Sequence, residues 1–372
     1  MSHPVAAIFT LPILVTLFGG CASPGDSSPD RAASAPRPRQ YLCYRSPQPL
    51  NIDGKLDEQA WKQAPWTEDF LDIQGEHMPR PRHRTRTKML WDDKYLYFGA
   101  WLDEPHLWAT LTKRDSVIFH DNDFEVFIDP DGDSHQYMEL EINALGTEWD
   151  LFLIKPYRDG GPALHDWDMQ GLRSAVALFG TLNDSSDSDR GWSVEIAIPW
   201  KTMKEAAGCA TPPRDGDQWR INFSRVQWRL DKKDGSYVKA KNPKTGKIWP
   251  EDNWVWSPQG VINMHEPEHW GYVQFSTGEV QEAGAALRPL SQEPARQALR
   301  WIYHAQRRYR QEHKRYAKTL ADLQLEPKQL RLLLRLGTSM QANSRQWLAE
   351  TPEPQISIDH EGRILPRARR ER

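Results

Sequence analysis

Residues 121–143 read DNDFEVFIDPDGDSHQYMELEIN, and the fold turns on how they are understood. In the first half Phe124, Val126 and Ile128 share one side, and Glu125, Phe127 and Asp129 share the other. In the second half Met138, Leu140 and Ile142 share one side, and Tyr137, Glu139, Glu141 and Asn143 share the opposite one. Between them, DPDGDSHQ is turn chemistry: proline fixes φ, glycine tolerates positive φ, and aspartate bonds its own backbone. The segment is therefore a hairpin with an apolar face and an acidic face. Like charges facing each other across strands cost on the order of 0.2–1 kcal/mol. Water, nearby arginine or lysine, a cation or ligand hydroxyls must offset that repulsion.

Working outward, residues 41–276 carry mostly β signals. RTRTKMLWDDKYLYFGAWLD (84–103) reads as strand, tight turn, strand. GWSVEIAIPW (191–200) points Trp192, Val194, Ile196 and Ile198 inward, with Ser193, Glu195 and Ala197 opposite. Short alternating runs separated by turns predict a mainly β protein, a β-sandwich or a barrel. Trp61, Trp91, Trp192 and Trp200 fall on apolar faces or element ends and read as core. If the strands of Glu125 and Glu195 share a sheet, both glutamates stud the same surface. Arg80, Arg82, Arg84, Arg86 and Lys88 alternate along an exposed strand edge and offer the acidic face a balancing charge.

The chain has 372 residues, a net charge of −3, 17 tryptophans and a mean hydropathy of −0.74. No global field favours nucleic acid. The apolar run Val5–Phe18 is too short to span a membrane and suits the core of a signal peptide over 1–20. It ends in LFGGC, a lipoprotein-type cleavage box, so Cys21 is expected to be lipidated and to tether the protein to the bacterial cell envelope, at the outer membrane. Residues 21–40 are a Pro-, Ser- and Ala-rich tether. In an oxidising compartment Cys43 and Cys209 either form a disulfide or remain two buried thiols.

LNIDGKLDEQAWKQA, KMLWDDKYLYFGAWLDE, the hairpin, GWSVEIAIPW and INFSRVQW occur in this order. Together they resemble the family 9 carbohydrate-binding modules and their DOMON-like relatives. The resemblance implies an immunoglobulin-like β-sandwich that binds ends of glucans or xylans, often with structural calcium, in association with polysaccharide breakdown. It implies a terminal sugar held between two rings. Phe119 stands at the first ring position and Met264 at the second; Glu125 matches a family glutamate, and Glu141 stands where the family has arginine. Trp228, Trp254, Trp256 or His265 offers a replacement ring. Carboxylates accept sugar hydroxyls in charge-assisted bonds, and Arg225 or Asn222 donates to sugar oxygens. On this reading Glu125 and Glu141 face the ligand and Glu139 faces solvent.

DPDGD does not fit the calcium loop of an EF-hand: Gly132 is fourth from Asp129 and Leu140 is twelfth. The clustered oxygens of Asp121, Asp123, Asp129, Asp131 and Asp133 nonetheless offer a place for structural calcium. No Ser-His-Asp, HExxH, P-loop or CxxCH pattern occurs, which favours binding over catalysis. Two alternatives remain: hydrolysis of glycosidic bonds by a Glu125–Glu141 carboxylate pair, and b-type haem ligated near Met264 and His265. Residues 277–290 read as a linker and 291–366 as a small α+β domain, packed on the sandwich or on an envelope partner. Within it, 293–315 is a helix with Leu299, Ile302, Ala305, Tyr309 and His313 near one stripe. LRLLLRLG (330–337), SMQANSRQWLAE (339–350) and QISIDHEGRIL (355–365) read as strands, and RARRER (367–372) as a disordered tail.

Overall fold

The computed structural model describes residues 37–280 and 286–366. The signal segment, Cys21, the tether up to residue 36 and the tail lie outside the described residues. Thirteen strands form one hydrogen-bonded sheet that curls into two facing layers. The first layer contains, in order, strands Glu148–Leu153, Tyr137–Asn143, Asp123–Asp129, Gln218–Gln227 and Gly271–Phe275. The second contains Thr85–Trp91, Tyr95–Asp103, Gly191–Pro199 and Arg173–Phe179. Gln40–Arg45 joins them. Its residues Gln40–Cys43 pair with Gly271–Phe275, then Tyr44 and Arg45 pair with the Thr85–Trp91 strand.

The inward residues of both layers make one core. Phe124, Val126 and Ile128 meet Met138, Leu140 and Ile142 from the hairpin, and Trp192, Val194, Ile196 and Ile198 face them from the other layer. This is the alternation of the sequence, with Trp91, Trp192 and Trp200 inside as expected. The fold is a mainly β sandwich with a small α+β appendage.

Several expectations give way. Glu195 does not share a surface with Glu125: its strand lies in the opposite layer. Its carboxylate accepts from Asp53 N (2.9 Å), Gly54 N (2.8 Å) and Trp61 Nε1 (2.6 Å), closing the short helix Gln59–Gln63 over that layer. The basic strand is not an edge, since Thr85–Trp91 lies between two partners. Arg86 stacks on Trp66, and the buried Lys88 donates to Trp61 O. Cys43 and Cys209 are both free, the first in the core and the second at the surface. Of the two alternatives the free thiols hold, although Cys209 is exposed and not buried, and reducing agent should leave the melting temperature unchanged in a thermal-shift assay.

The C-terminal unit begins with helix Glu293–His313, which buries Leu299, Ile302 and Ala305 against strands Trp347–Thr351 and Ile356–Asp359. LRLLLRLG is not a strand: Pro327–Arg335 is helical. Pro327 occupies the first turn, and the Gln329 side chain accepts from Glu326 N at 3.0 Å. The unit docks on the hairpin turn. Arg296 donates to Gly132 O (2.7 Å), Arg300 to Ser134 Oγ, and Arg363 to Asp133 Oδ2 (2.6 Å). Arg220, beneath the turn, pairs with Glu293 at 2.8 Å.

Candidate functional site

Antiparallel pairing puts directly opposed residues on the same face, so the outer face of the hairpin can be laid out row by row. Trp149 pairs with Glu141, Glu141 with Glu125, and Glu125 with Ser224. In the next row Leu151 pairs with Glu139, Glu139 with Phe127, and Phe127 with Asn222. Loops then cover this face. The turn Ile118–His120 brings Phe119 over it, the turn Tyr157–Asp159 brings Tyr157, and 264–265 bring Met264 and His265. Together they enclose a cleft of about 220 Å³, with Glu251 and Asn253 along its rim.

The acidic face is thus buried. Glu125, Glu139 and Glu141 are 5%, 4% and 2% exposed, which corrects the expectation of a solvated Glu139. Asp123, on the same face, is fully buried. Two of these carboxylates are anchored by backbone N–H groups: Val226 N donates to Asp123 Oδ1 (3.0 Å), and Phe119 N to Glu141 Oε2 (2.9 Å). Asp123 Oδ2 and Glu139 Oε2 are buried without a hydrogen-bond partner. Oxygens of Asp123, Glu125 and Glu141 all lie within 4.8 Å of one another. Burial, then the neighbouring carboxylates, pushes Asp123, Glu139 and Glu141 well above the usual carboxylate range and Glu125 up to about 7.

The aromatic wall differs from the expected one. Phe119 is half-buried at the cleft, as placed from sequence. Tyr157, 49% exposed, stands edge-on to His265 with ring centroids 4.5 Å apart. His265 shares a hydrogen bond with Tyr137 Oη at 2.9 Å. Burial and the Arg158 charge lower its pKa to about 3, so the imidazole is neutral. Met264 lines the cleft beside it. Trp228 lies behind Phe119, its Nε1 donating to Phe119 O at 2.9 Å. Trp256 is fully buried in the core and contributes no ring. Tyr157, Trp149 and Phe127 were missed. Tyr157 carried a signal, an aromatic in the Gly- and Pro-rich loop KPYRDGGP.

Arg225 is also corrected. It points into the sandwich, 1% exposed, where Nη2 meets Glu104 Oε2 at 3.0 Å and Nη1 meets Thr85 Oγ1 at 3.0 Å. Asn222 is on the cleft side of its strand, but its amide is used internally: Nδ2 donates to Ser257 O, and Oδ1 accepts from Ser257 N and Phe223 N.

Of the expected calcium donors, Asp121 and Asp123 lie apart from the other three. Asp121 takes N–H groups of Thr110 and Leu111 at 2.7 and 2.8 Å. Asp129, Asp131 and Asp133 do cluster within 4.8 Å. However, Asp129 accepts from Gly132 N and Ser134 N, Asp131 accepts from Asp133 N, and Asp133 is shared between His135 N and the Arg363 guanidinium. The turn is closed by N–H groups and a guanidinium.

Residues 52–214 match the family model described as carbohydrate family 9 binding domain-like. An exoglucanase, XynX, from Acetivibrio thermocellus is 26% identical over 152 residues, 41% of this chain and 12% of that protein. An endo-1,4-beta-xylanase A from Thermoanaerobacterium saccharolyticum is 27% identical over 157 residues, 42% of this chain and 11% of that protein. The chain therefore spans only about a tenth of the length of these relatives. Among solved structures, a family 9 carbohydrate-binding module from Caldicellulosiruptor kristjanssonii in complex with cellotriose aligns with a TM-score of 0.41 at 15% identity. That alignment covers 68% of this chain and all of the module.

Proposed function

We infer, for a chain that carries a carbohydrate family 9 binding-like domain across residues 52–214, that the acidic cleft grips the end of a saccharide, in the context of xylan or glucan breakdown, without cutting it. The observation that carries this reading is the row Trp149–Glu141–Glu125 beneath Phe119 and Tyr157, where rings and carboxylates share one cleft. A pyranose has an apolar face for the rings and a hydroxyl rim for the acids. The placement of the acids supports binding without hydrolysis. Glu125 and Glu141 sit side by side on adjacent strands, whereas a glycosidase flanks the scissile bond with two carboxylates about 5–10 Å apart. The haem alternative finds no support, because Met264 and His265 are neighbours on one wall and the His265 Nδ1 is engaged by Tyr137. Attachment to the envelope through Cys21 and contact of the C-terminal unit with an envelope protein belong to the same proposal. Metabolic labelling with a palmitate analogue tests the first.

Calorimetric titration of the purified protein with xylo- and cello-oligosaccharides tests the site. Glu125→Ala should weaken binding about tenfold to a hundredfold, the loss of a charge-assisted hydrogen bond. Tyr157→Ala should weaken it about two- to tenfold. Affinity unmoved by Glu125→Ala, or reducing sugar released by the wild type, overturns the reading.

A further inference from the structure

Four acids, Asp123, Glu125, Glu139 and Glu141, occupy one buried face, and among the described residues no lysine or arginine forms an ion pair with any of them. Cations around the face are engaged elsewhere, Arg158 with Glu268 at 2.8 Å among them. Arg225 is on the opposite face with Glu104, and the Lys239 ammonium rests on the Trp228 ring, 3.3 Å from its centroid. Buried charge without a partner is costly. Two of the oxygens, Asp123 Oδ2 and Glu139 Oε2, have no hydrogen-bond partner among the described residues. Burial favours the protonated form of these acids, and a cation, unlike a hydroxyl, supplies the partner that lets them ionise.

We propose that this cleft takes a saccharide bearing a protonated primary amine, a glucosamine-type end, with the ammonium seated among Asp123, Glu125 and Glu141. This rests on the reading of the cleft as a saccharide site and names its substrate class. An ammonium has three donors. Charge-assisted N–H···O bonds of about 2.8 Å on a tetrahedral nitrogen hold three acceptors about 4.6 Å apart, and the oxygens of the three acids lie within 4.8 Å of one another. The walls agree. Phe119, Phe127 and Tyr157 offer a cation and a pyranose ring the same attractive faces. A bare divalent ion draws nothing from those rings and demands six to eight oxygens. Anchoring of Asp123 and Glu141 by Val226 N and Phe119 N holds the acids in place before the ligand arrives.

The test is calorimetry on the full chain at pH 7 with EDTA present, using the fully deacetylated glucosamine tetrasaccharide, its N-acetylated counterpart and cellotetraose. The amine should bind at least tenfold tighter than both neutral sugars, and Glu141→Gln, which keeps the shape, should cut that preference to under threefold. Equal affinities overturn the proposal and leave saccharide binding standing. A preference that survives Glu141→Gln marks generic attraction to an acidic surface and also overturns it. A preference that appears only when calcium replaces EDTA assigns the acids to a metal. If no saccharide binds, both this inference and the function it rests on fall.

Discussion

Replacing Arg225 by alanine is expected to cost about 3–5 kcal/mol of stability, the usual consequence of breaking a buried ion pair by removing one partner. Arg225 and Glu104 are 1% and 2% exposed. Without the guanidinium, Glu104 keeps only Asn122 Nδ2 (3.2 Å) and His106 N (3.1 Å) to hold its charge. Thr85 Oγ1 and Gln227 Oε1 lose their partners too. Urea denaturation followed by circular dichroism should show the sandwich transition at a much lower midpoint. Arg225→Met with Glu104→Leu should recover most of the loss, since apolar replacement of the whole pair is often neutral. Folded Arg225→Ala protein should bind oligosaccharide as the wild type does. Wild-type stability with weakened binding would instead return Arg225 to the cleft.

Strand parity alone separates Arg225 from the cleft. Glu125 pairs with Ser224, so even-numbered residues of the Gln218–Gln227 strand share the face of Glu125 and odd-numbered ones face the core. Asn222 and Arg225 have opposite parity and were never candidates for one surface. Parity did give the apolar faces of the hairpin and of Gly191–Pro199 correctly, because period-two alternation is local. What covers an outer face is not local. Phe119, Tyr157 and His265 come from three loops distant in sequence, so Glu139 read as solvated and is buried. The same limit applies to Asp133, whose partner Arg363 is 230 residues away. In LRLLLRLG the leucine run masked the helix signals just before it, Pro327 and the Glu326–Gln329 box.

Stability of the ligand-free protein should fall as pH rises from about 4.5 through 7, and the acids of the cleft contribute to it alongside Asp131, Asp150 and Glu195, which burial also raises. The Glu125 carboxyl is pushed from 4.5 up to about 7, by burial first and Glu251 next. The folded state therefore binds protons that the unfolded chain releases. Between the two values the unfolded state holds fewer protons, and unfolding becomes easier with each step in pH. A tenfold change in affinity for a proton is worth 1.36 kcal/mol, so Glu125 alone accounts for a loss of at most about 3 kcal/mol above pH 7. Asp123, Glu139 and Glu141 shift in the same direction. Glu268 opposes them: Arg158 and Arg300 hold it well below its ordinary value despite burial, so its contribution is present above pH 4.5 and is lost in acid. A difference measurement separates the two. Glu125→Gln should raise the urea midpoint at pH 8, above the Glu125 value of about 7, and leave it nearly unchanged at pH 4.5, where that side chain is already neutral. A midpoint raised equally at both pH values, or lowered at pH 8, would mean that the acids of the cleft are compensated inside the fold. In that case the site has no surplus of negative charge to offer a ligand.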